Sequence, residues 1–385
     1  MALLRLILRN VLRQGLRSSL TVTGMAVAIL AFCLLRTTVE AWYAGVAAAS
    51  PNRLVSRNAV SLIFTLPLSY RQRILSVPEV THVAYANWFG GIYIDEKHFF
   101  PRMAVGPSSF FDLFPEFRLS ERQVKAFWTQ RNGCIVGRKL VEKYRWKIGD
   151  TITLTGNIYP GEWRFVLVGV YDGATKSTDE TQFFFRWDYL DEVVKKVLPS
   201  ESGRVGWYIV QIASPNNAGT VSGAIDALFR SSLAETLTET EKAFQMGFVA
   251  MTEAIVVAVR VVSFVVIGVI LIVLANTMAM TARERQPEYA TFKTLGFGPG
   301  FLVTLIVGES MAIALLGGIL GVGLSVPTAD AFSKQVGPLL PVFHVHWKTM
   351  ALSLGVSLAI GIAAAGLPAW RAVRIRIAEA LGHVG

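Results

Sequence analysis

Four long apolar stretches limit what this chain can fold into. Residues 18–35, 261–282 and 349–370 carry no charge, and 294–329 carries only Glu309. Each reaches or approaches the roughly 20 apolar residues that a helix needs to cross a bilayer core. A buried core helix of a soluble protein rarely runs that far without a charge. Hydrophobic residues make up 52% of the chain and charged ones 17%, against about a quarter in soluble domains. The expected class is therefore a membrane α-helical protein with four transmembrane helices. The long segment between the first and second spans reads as an inserted α+β domain. A signal peptide is the alternative for the first stretch, because Ala47 and Ala49 resemble a cleavage site. Its apolar run exceeds the roughly 7–15 residues of a signal core, and Arg36 and Glu40 intervene, which favours an uncleaved anchor.

Basic residues set the orientation. Arg5, Arg9, Arg13 and Arg17 precede the first span; Arg283, Arg285 and Lys293 lie between spans two and three; Arg371, Arg374 and Arg376 follow the fourth. Against Glu284, Glu288 and Glu379, these ten residues leave +7 of the net charge of +10. Basic short segments stay in the cytoplasm, so both termini are expected inside. The same bias argues for topology and against nucleic acid as a partner. Leu4, Leu8, Val11 and Leu12 share one side of a helical register and the four arginines another. This suits a helix in the headgroup layer of membrane lipid or, equally, a basic flank that only fixes topology.

The expected organisation follows. Residues 1–17 form an amphipathic helix, 18–40 the first span and 41–250 the outer domain. The second span is 251–282, a cytoplasmic segment 283–299, the third span 300–328, an outer loop 329–348, the fourth span 349–370 and a tail 371–385. Within the outer domain, 80–84, 151–155, 163–171 and 207–213 read as strands, and 138–144 and 217–230 as helices. Residues 235–253 look helical and continuous with the second span. Cys33 and Cys134 fall in different regions and are not expected to pair.

Few motifs offer chemistry. The chain contains no Gly-Lys dipeptide, so it lacks the lysine-closed loop that cradles nucleotide phosphates, and ATP hydrolysis by this chain is not expected. Gly308-Glu309-Ser310-Met311-Ala312 only loosely resembles a hydrolase elbow. His344 and His346 have no third ligand in view, and no metal or cofactor is assigned. Glu309 sits about eight residues, roughly 12 Å, inside the third span. An ionisable group there is costly and faces protein or water. Arg260 opens span two from the opposite side and is not expected to reach it, so a structural role is favoured over a proton relay. Gly317 and Gly321 are spaced for close helix approach.

The segment after span two is the most informative. Pro287 suits a helix first turn and Gly296 its stop, and Tyr289, Phe292 and Leu295 fall three apart. That reads as a short helix with one apolar face, open to a protein partner. Glu288 is expected to stay solvated.

The stretch from Asn276 through Arg283-Glu284-Arg285, Glu288, Thr294-Leu295-Gly296 and Glu309 into Gly317-Gly318 resembles MacB/FtsX-type ABC transporter permeases (type VII, LolCE-like). So do Arg9 to Thr21, Leu367-Pro-Ala-Trp-Arg371 with Ala378 to Leu381, and, in the outer domain, Val136-Gly-Arg-Lys-Leu140, Ile148-Gly-Asp150 and Val168-Gly-Val170. The resemblance implies a bacterial inner-membrane permease that pairs with a second copy or a paralogue and clasps two cytoplasmic ABC ATPase subunits. ATP would be bound by those partners, because no nucleotide-binding domain is fused here. Arg283, Glu284, Arg285, Glu288, Tyr289, Phe292, Leu295 and Gly296 would couple to the ATPase. Glu309, Gly317 and Gly321 would be structural within the membrane. Substrates of such machines are lipids, lipoproteins or hydrophobic compounds, and a periplasmic adaptor or carrier protein can take part. The alternative is an FtsX-like regulator that switches a periplasmic hydrolase and moves no cargo.

Overall fold

The computed structural model describes residues 6, 7, 9, 10, 13, 15–336 and 342–374. Along the chain, α1 (Gly15–Trp42) and the short α2 (Ala44–Ala48) lead into β1 (Arg53–Asn58) and β2 (Leu66–Pro67). Then follow α3 (Tyr70–Leu75), β3 (Val80–Trp88), β4 (Arg102–Gly106), β5 (Phe117–Arg118), α4 (Glu121–Thr129), β6 (Gly133–Gly137) and α5 (Arg138–Tyr144). The next elements are β7 (Thr151–Gly156), β8 (Gly161–Gly173), β9 (Phe183–Arg186), α6 (Trp187–Val197), β10 (Arg204–Val205), β11 (Trp207–Ile212), α7 (Ala218–Phe229) and β12 (Thr236–Thr240). The chain closes with α8 (Glu241–Met251), α9 (Glu253–Glu284), α10 (Gln286–Thr294), α11 (Pro299–Val336) and α12 (Trp347–Arg374). It divides into a helical unit, residues 1–41, 253–335 and 343–385, and an α+β unit, residues 42–252 and 336–342.

In the α+β unit a mixed sheet runs β12-β1-β11-β3-β4-β9-β6-β8-β5, with β7 paired to β8. The pairs β4–β9 and β6–β8 are parallel and the others antiparallel. Its central strands are apolar on both sides. In β9, Phe183 and Phe185 enter one core with Phe100, Phe165 and Trp163, while Phe184 enters a second with Phe110, Phe111 and Tyr171. Alternation along a strand sends neighbours to opposite faces, so both faces of the sheet are covered. Cys134 and Val136 face the first core and Ile135 the second. A capping box, with Ser120 and Gln123 satisfying each other's backbone, starts α4.

Arg53 is buried at the edge of this unit. Its Nε donates to Glu241 at 2.8 Å, its Nη1 to the Leu113 carbonyl at 2.6 Å, and its Nη2 to Glu116 at 2.6 Å. The guanidinium also lies 4.4 Å from the Phe114 ring centre. It thereby fastens β1 to the loop before β5 and to the first turn of α8.

The expected helix over 235–253 is corrected. Thr236–Thr240 is strand β12, paired with β1, and its threonines bond to Asp226 on α7. β-Branched residues at alternate positions suit a strand and crowd a helix. Thr240 then caps α8, which ends at Thr252 (φ −113°, ψ 14°) before α9 begins. The helix is therefore not continuous across that boundary.

Among the described residues of the helical unit, four helices are long and apolar enough to cross a membrane: Gly15–Trp42, Glu253–Glu284, Pro299–Ser333 and Trp347–Arg374. The third is longer than expected and takes in part of the anticipated loop 329–348. Residues 6, 7, 9, 10 and 13 are helical; Leu4, Arg5, Leu8, Val11, Leu12 and the tail from residue 375 lie outside the described residues. α11 packs closely on two sides. A Cβ on Gly317 would sit 2.6 Å from Met25 Cβ, and one on Gly321 2.5 Å from the Ala26 carbonyl oxygen, so both glycines seat α1. On another side, Ser357 of α12 donates to the Ala314 carbonyl and Ser310 of α11 donates to the Gly361 carbonyl, satisfying hydroxyls where no water reaches.

Candidate functional site

The chain between α9 and α11 is built by local rules. Pro287 stands in the first turn of α10, where its missing N–H costs nothing. At the other end Gly296 adopts φ +88°, a conformation that glycine reaches without Cβ strain. The Gly296 N–H donates to the Lys293 carbonyl at 3.1 Å and the Phe297 N–H to the Phe292 carbonyl at 3.0 Å. Together these form a Schellman motif. The apolar contact that accompanies such motifs is the edge-on pair Phe292–Phe297, with ring centres 5.7 Å apart. Phe301 of α11 joins both rings at 5.5 and 4.6 Å. Leu295 is 68% exposed and Phe297 44%. The result is an apolar tip on an aromatic base.

The anticipated single face of Tyr289, Phe292 and Leu295 is split. Each three-residue step on an α-helix falls about 60° short of a full turn, so the first and last differ by about 120°. Tyr289 is buried in the core of the helical unit with Leu302, Leu305 and Ile306, whereas Leu295 points out as the C-cap beyond the last helical residue. Tyr289 therefore cannot offer its ring to a partner. Burial pushes its hydroxyl up to about 12.

Behind the tip lies a charged joint. Arg285, the N-cap of α10, is buried, and its Nη1 donates to both carboxylate oxygens of Glu309 at 2.8 Å. Its Nε donates to Glu288 at 2.8 Å. The second Glu288 oxygen accepts from Arg13 at 2.7 Å. Glu284, in the last turn of α9, accepts two bonds from Arg17 of α1 at 2.6 and 2.8 Å. Glu288 is therefore held between two arginines and not simply solvated. Burial alone would raise its carboxyl, but bonds and charge from Arg285 and Arg13 outweigh that and leave it below the usual 4.5. A cleft of about 140 Å³ opens beside the joint, lined by Asn10, Arg13, Arg17, Glu284, Arg285, Glu288 and Glu309 among others. Lys293 reaches the far side and donates to the Val373 carbonyl at 2.8 Å.

Sequence reasoning missed the Arg285–Glu309 pair. A lone acid inside a span demands a cation, and the turn before that span supplies the nearest ones. Arg283, two residues before Arg285, is exposed, as is Arg260. His344 and His346 stand with ring centres 5.7 Å apart, and among the described residues no three metal-ligating side chains gather.

Comparison with known proteins covers both units. Residues 18–228 match the MacB-like periplasmic core domain, and residues 260–377 the FtsX-like permease C-terminal region. An uncharacterized ABC transporter permease of Methanocaldococcus jannaschii is 22% identical over 400 residues, 97% of this chain and 96% of that protein. The macrolide export ATP-binding/permease protein MacB of Bdellovibrio bacteriovorus is 29% identical over 114 residues, 28% of this chain and only 16% of that protein. Among solved structures, the periplasmic region of MacB from Actinobacillus actinomycetemcomitans aligns with 53% of this chain and 95% of its own length. That alignment has 11% identity and a TM-score of 0.38.

Proposed function

Because the chain belongs to the ABC transporter permeases with a MacB-like periplasmic core domain and an FtsX-like C-terminal region, we propose that it couples ATP hydrolysis by a separate cytoplasmic ATPase to movement of its α+β domain. On this reading it lies in the bacterial inner membrane with both termini inside, and two permease chains, identical or paralogous, clasp two ATPase subunits. ATP resides on the partner. The cargo is a lipid, lipoprotein or other hydrophobic compound exported or extracted on the outer side, where an adaptor or carrier protein receives it.

One observation carries this reading: the exposed Leu295 and Phe297, braced by Phe292 and Phe301 at the end of a capped helix between two apolar helices. A rigid apolar projection of that kind fits a pocket on a partner, and aromatic anchors typically contribute more than about 1–2 kcal/mol each. Leu295→Ala and Phe297→Ala should each weaken ATPase recovery by roughly tenfold in affinity in protein that still inserts normally. Phe292→Ala should do the same by removing the brace. If the exposed-residue variants bind and stimulate the ATPase like wild type, α10 is not the docking element.

A further inference from the structure

Arg285 occupies an unusual position. It stands at the N-cap position of α10, its backbone N–H donates to the Thr281 carbonyl of α9, and its side chain bonds Glu288 of α10 and Glu309 of α11, so a single residue links the three elements that meet at the joint. Its side chain is 10% exposed and that of Glu309 5%, whereas the Arg13 and Glu284 ends of the neighbouring pairs are open to solvent. Helix α10 has nine residues, below the roughly 12–15 at which a helix holds itself together, so its direction must come from outside. The Schellman turn fixes only its C-terminal end. At the N-terminal end, a planar guanidinium bound to Glu309 on one side and Glu288 on the other sets an angle as well as a distance. Buried ion pairs are poor sources of stability, and their best-attested use is to set register.

We propose that Arg285 is the positioning residue that locks the pitch of α10 to α11 through Glu309, so that a load on α10 passes into the apolar helices and is not lost in bending the turn. The proposal rests on the reading of α10 as the ATPase-docking element. It adds that docking and transmission are separable, the first residing in Leu295 and Phe297 and the second in Arg285.

The decisive variant replaces the pair by apolar residues, Arg285→Met with Glu309→Leu, which keeps the interior filled. In full-length chain reconstituted in lipid nanodiscs, this variant should retain its thermal midpoint and bind the co-purifying ATPase with unchanged affinity. The stimulated ATPase turnover should fall about fivefold or more. Spin labels on Thr291→Cys of α10 and Leu316→Cys of α11, in a background with Cys33 and Cys134 replaced, should report a widened distance distribution. Arg285→Lys keeps the charge and loses the fork, and it should widen the same distribution; it decides the question if the double variant does not fold. Wild-type turnover and an unchanged distance width in the apolar variant, or an unchanged width in Arg285→Lys, would overturn the proposal. If the wild-type chain recruits no ATPase, the docking reading fails, while the spin-label measurement still tests the lock.

Discussion

Gly321 allows a prediction that separates contact from helix propensity. A methyl group there would lie 2.5 Å from the Ala26 carbonyl oxygen, 3.0 Å from Ile29 Cβ and 3.1 Å from the Leu30 nitrogen. Two of these are backbone atoms that cannot rotate away, so α1 and α11 must part. Overpacking of this kind costs about 1–3 kcal/mol. Replacing a mid-helix glycine with alanine also returns roughly 0.5–1 kcal/mol of backbone entropy, which blurs a comparison with wild type. Gly323, two residues on, has nothing within 4 Å and supplies the reference. The propensity gain is common to Gly321→Ala and Gly323→Ala, so their difference isolates the contact and should equal about 1–3 kcal/mol. Gly317→Ala should cost at least as much as Gly321→Ala, because Met25 Cβ at 2.6 Å and the Val22 carbonyl oxygen at 2.9 Å are likewise fixed by the backbone of α1. Reversible unfolding in mixed micelles, followed by tryptophan fluorescence, measures all three. Equal midpoints for Gly321→Ala and Gly323→Ala would mean that α1 does not sit on this face.

Arg53→Met should leave Glu241 and Glu116 without their cation, and breaking a buried pair costs about 3–5 kcal/mol. Glu116 is part-exposed and can rehydrate, so the low end applies, and the melting midpoint of the α+β unit should drop by about 6–12 °C. Arg57→Ala, which loses a more open pair with Glu239, should change it little. The Glu288 carboxyl is lowered in the fold, so its contribution is present above its ordinary 4.5 and fades as the pH falls through the lowered value. The midpoint difference between wild type and Glu288→Gln should accordingly be largest near pH 7 and vanish in acid. A difference that grows on acidification would reverse the sign of the argument.

Much of the fold was legible because its signals are local. Uncharged runs mark the four apolar helices, and strands such as β8 and β11 announce themselves by β-branched and aromatic residues. Where the reading failed, the deciding partner was distant. Thr236–Thr240 becomes a strand because β1, 178 to 186 residues earlier in the paired register, offers it a ladder. Counting threes groups Tyr289 with Leu295 but ignores the drift of such a stripe and the end of α10 at Thr294. Glu309 reads as costly from the sequence, but its cation lies 24 residues upstream, across a turn whose geometry no spacing rule supplies. The ends of α10 were the legible part of the site, since proline and glycine act on their own backbone.

If the cargo is hydrophobic, as proposed above, the double-sided packing of the large sheet narrows where the α+β unit can hold it. A sheet with one open face offers a ready-made shelf, and opening either face here would mean pulling Phe184 or the pair Phe183 and Phe185 out of its own interior. Capture without unfolding is thereby confined to the margins of the α+β unit. The turn after β1, where Val60 and Ile63 are 80% and 86% exposed, and Leu233 just before β12 both lie at the same end of the β1–β12 pair, where the Ala59 N–H donates to the Glu235 carbonyl. A cross-linking lipid analogue that marks those margins and spares the strand centres would trace the path directly.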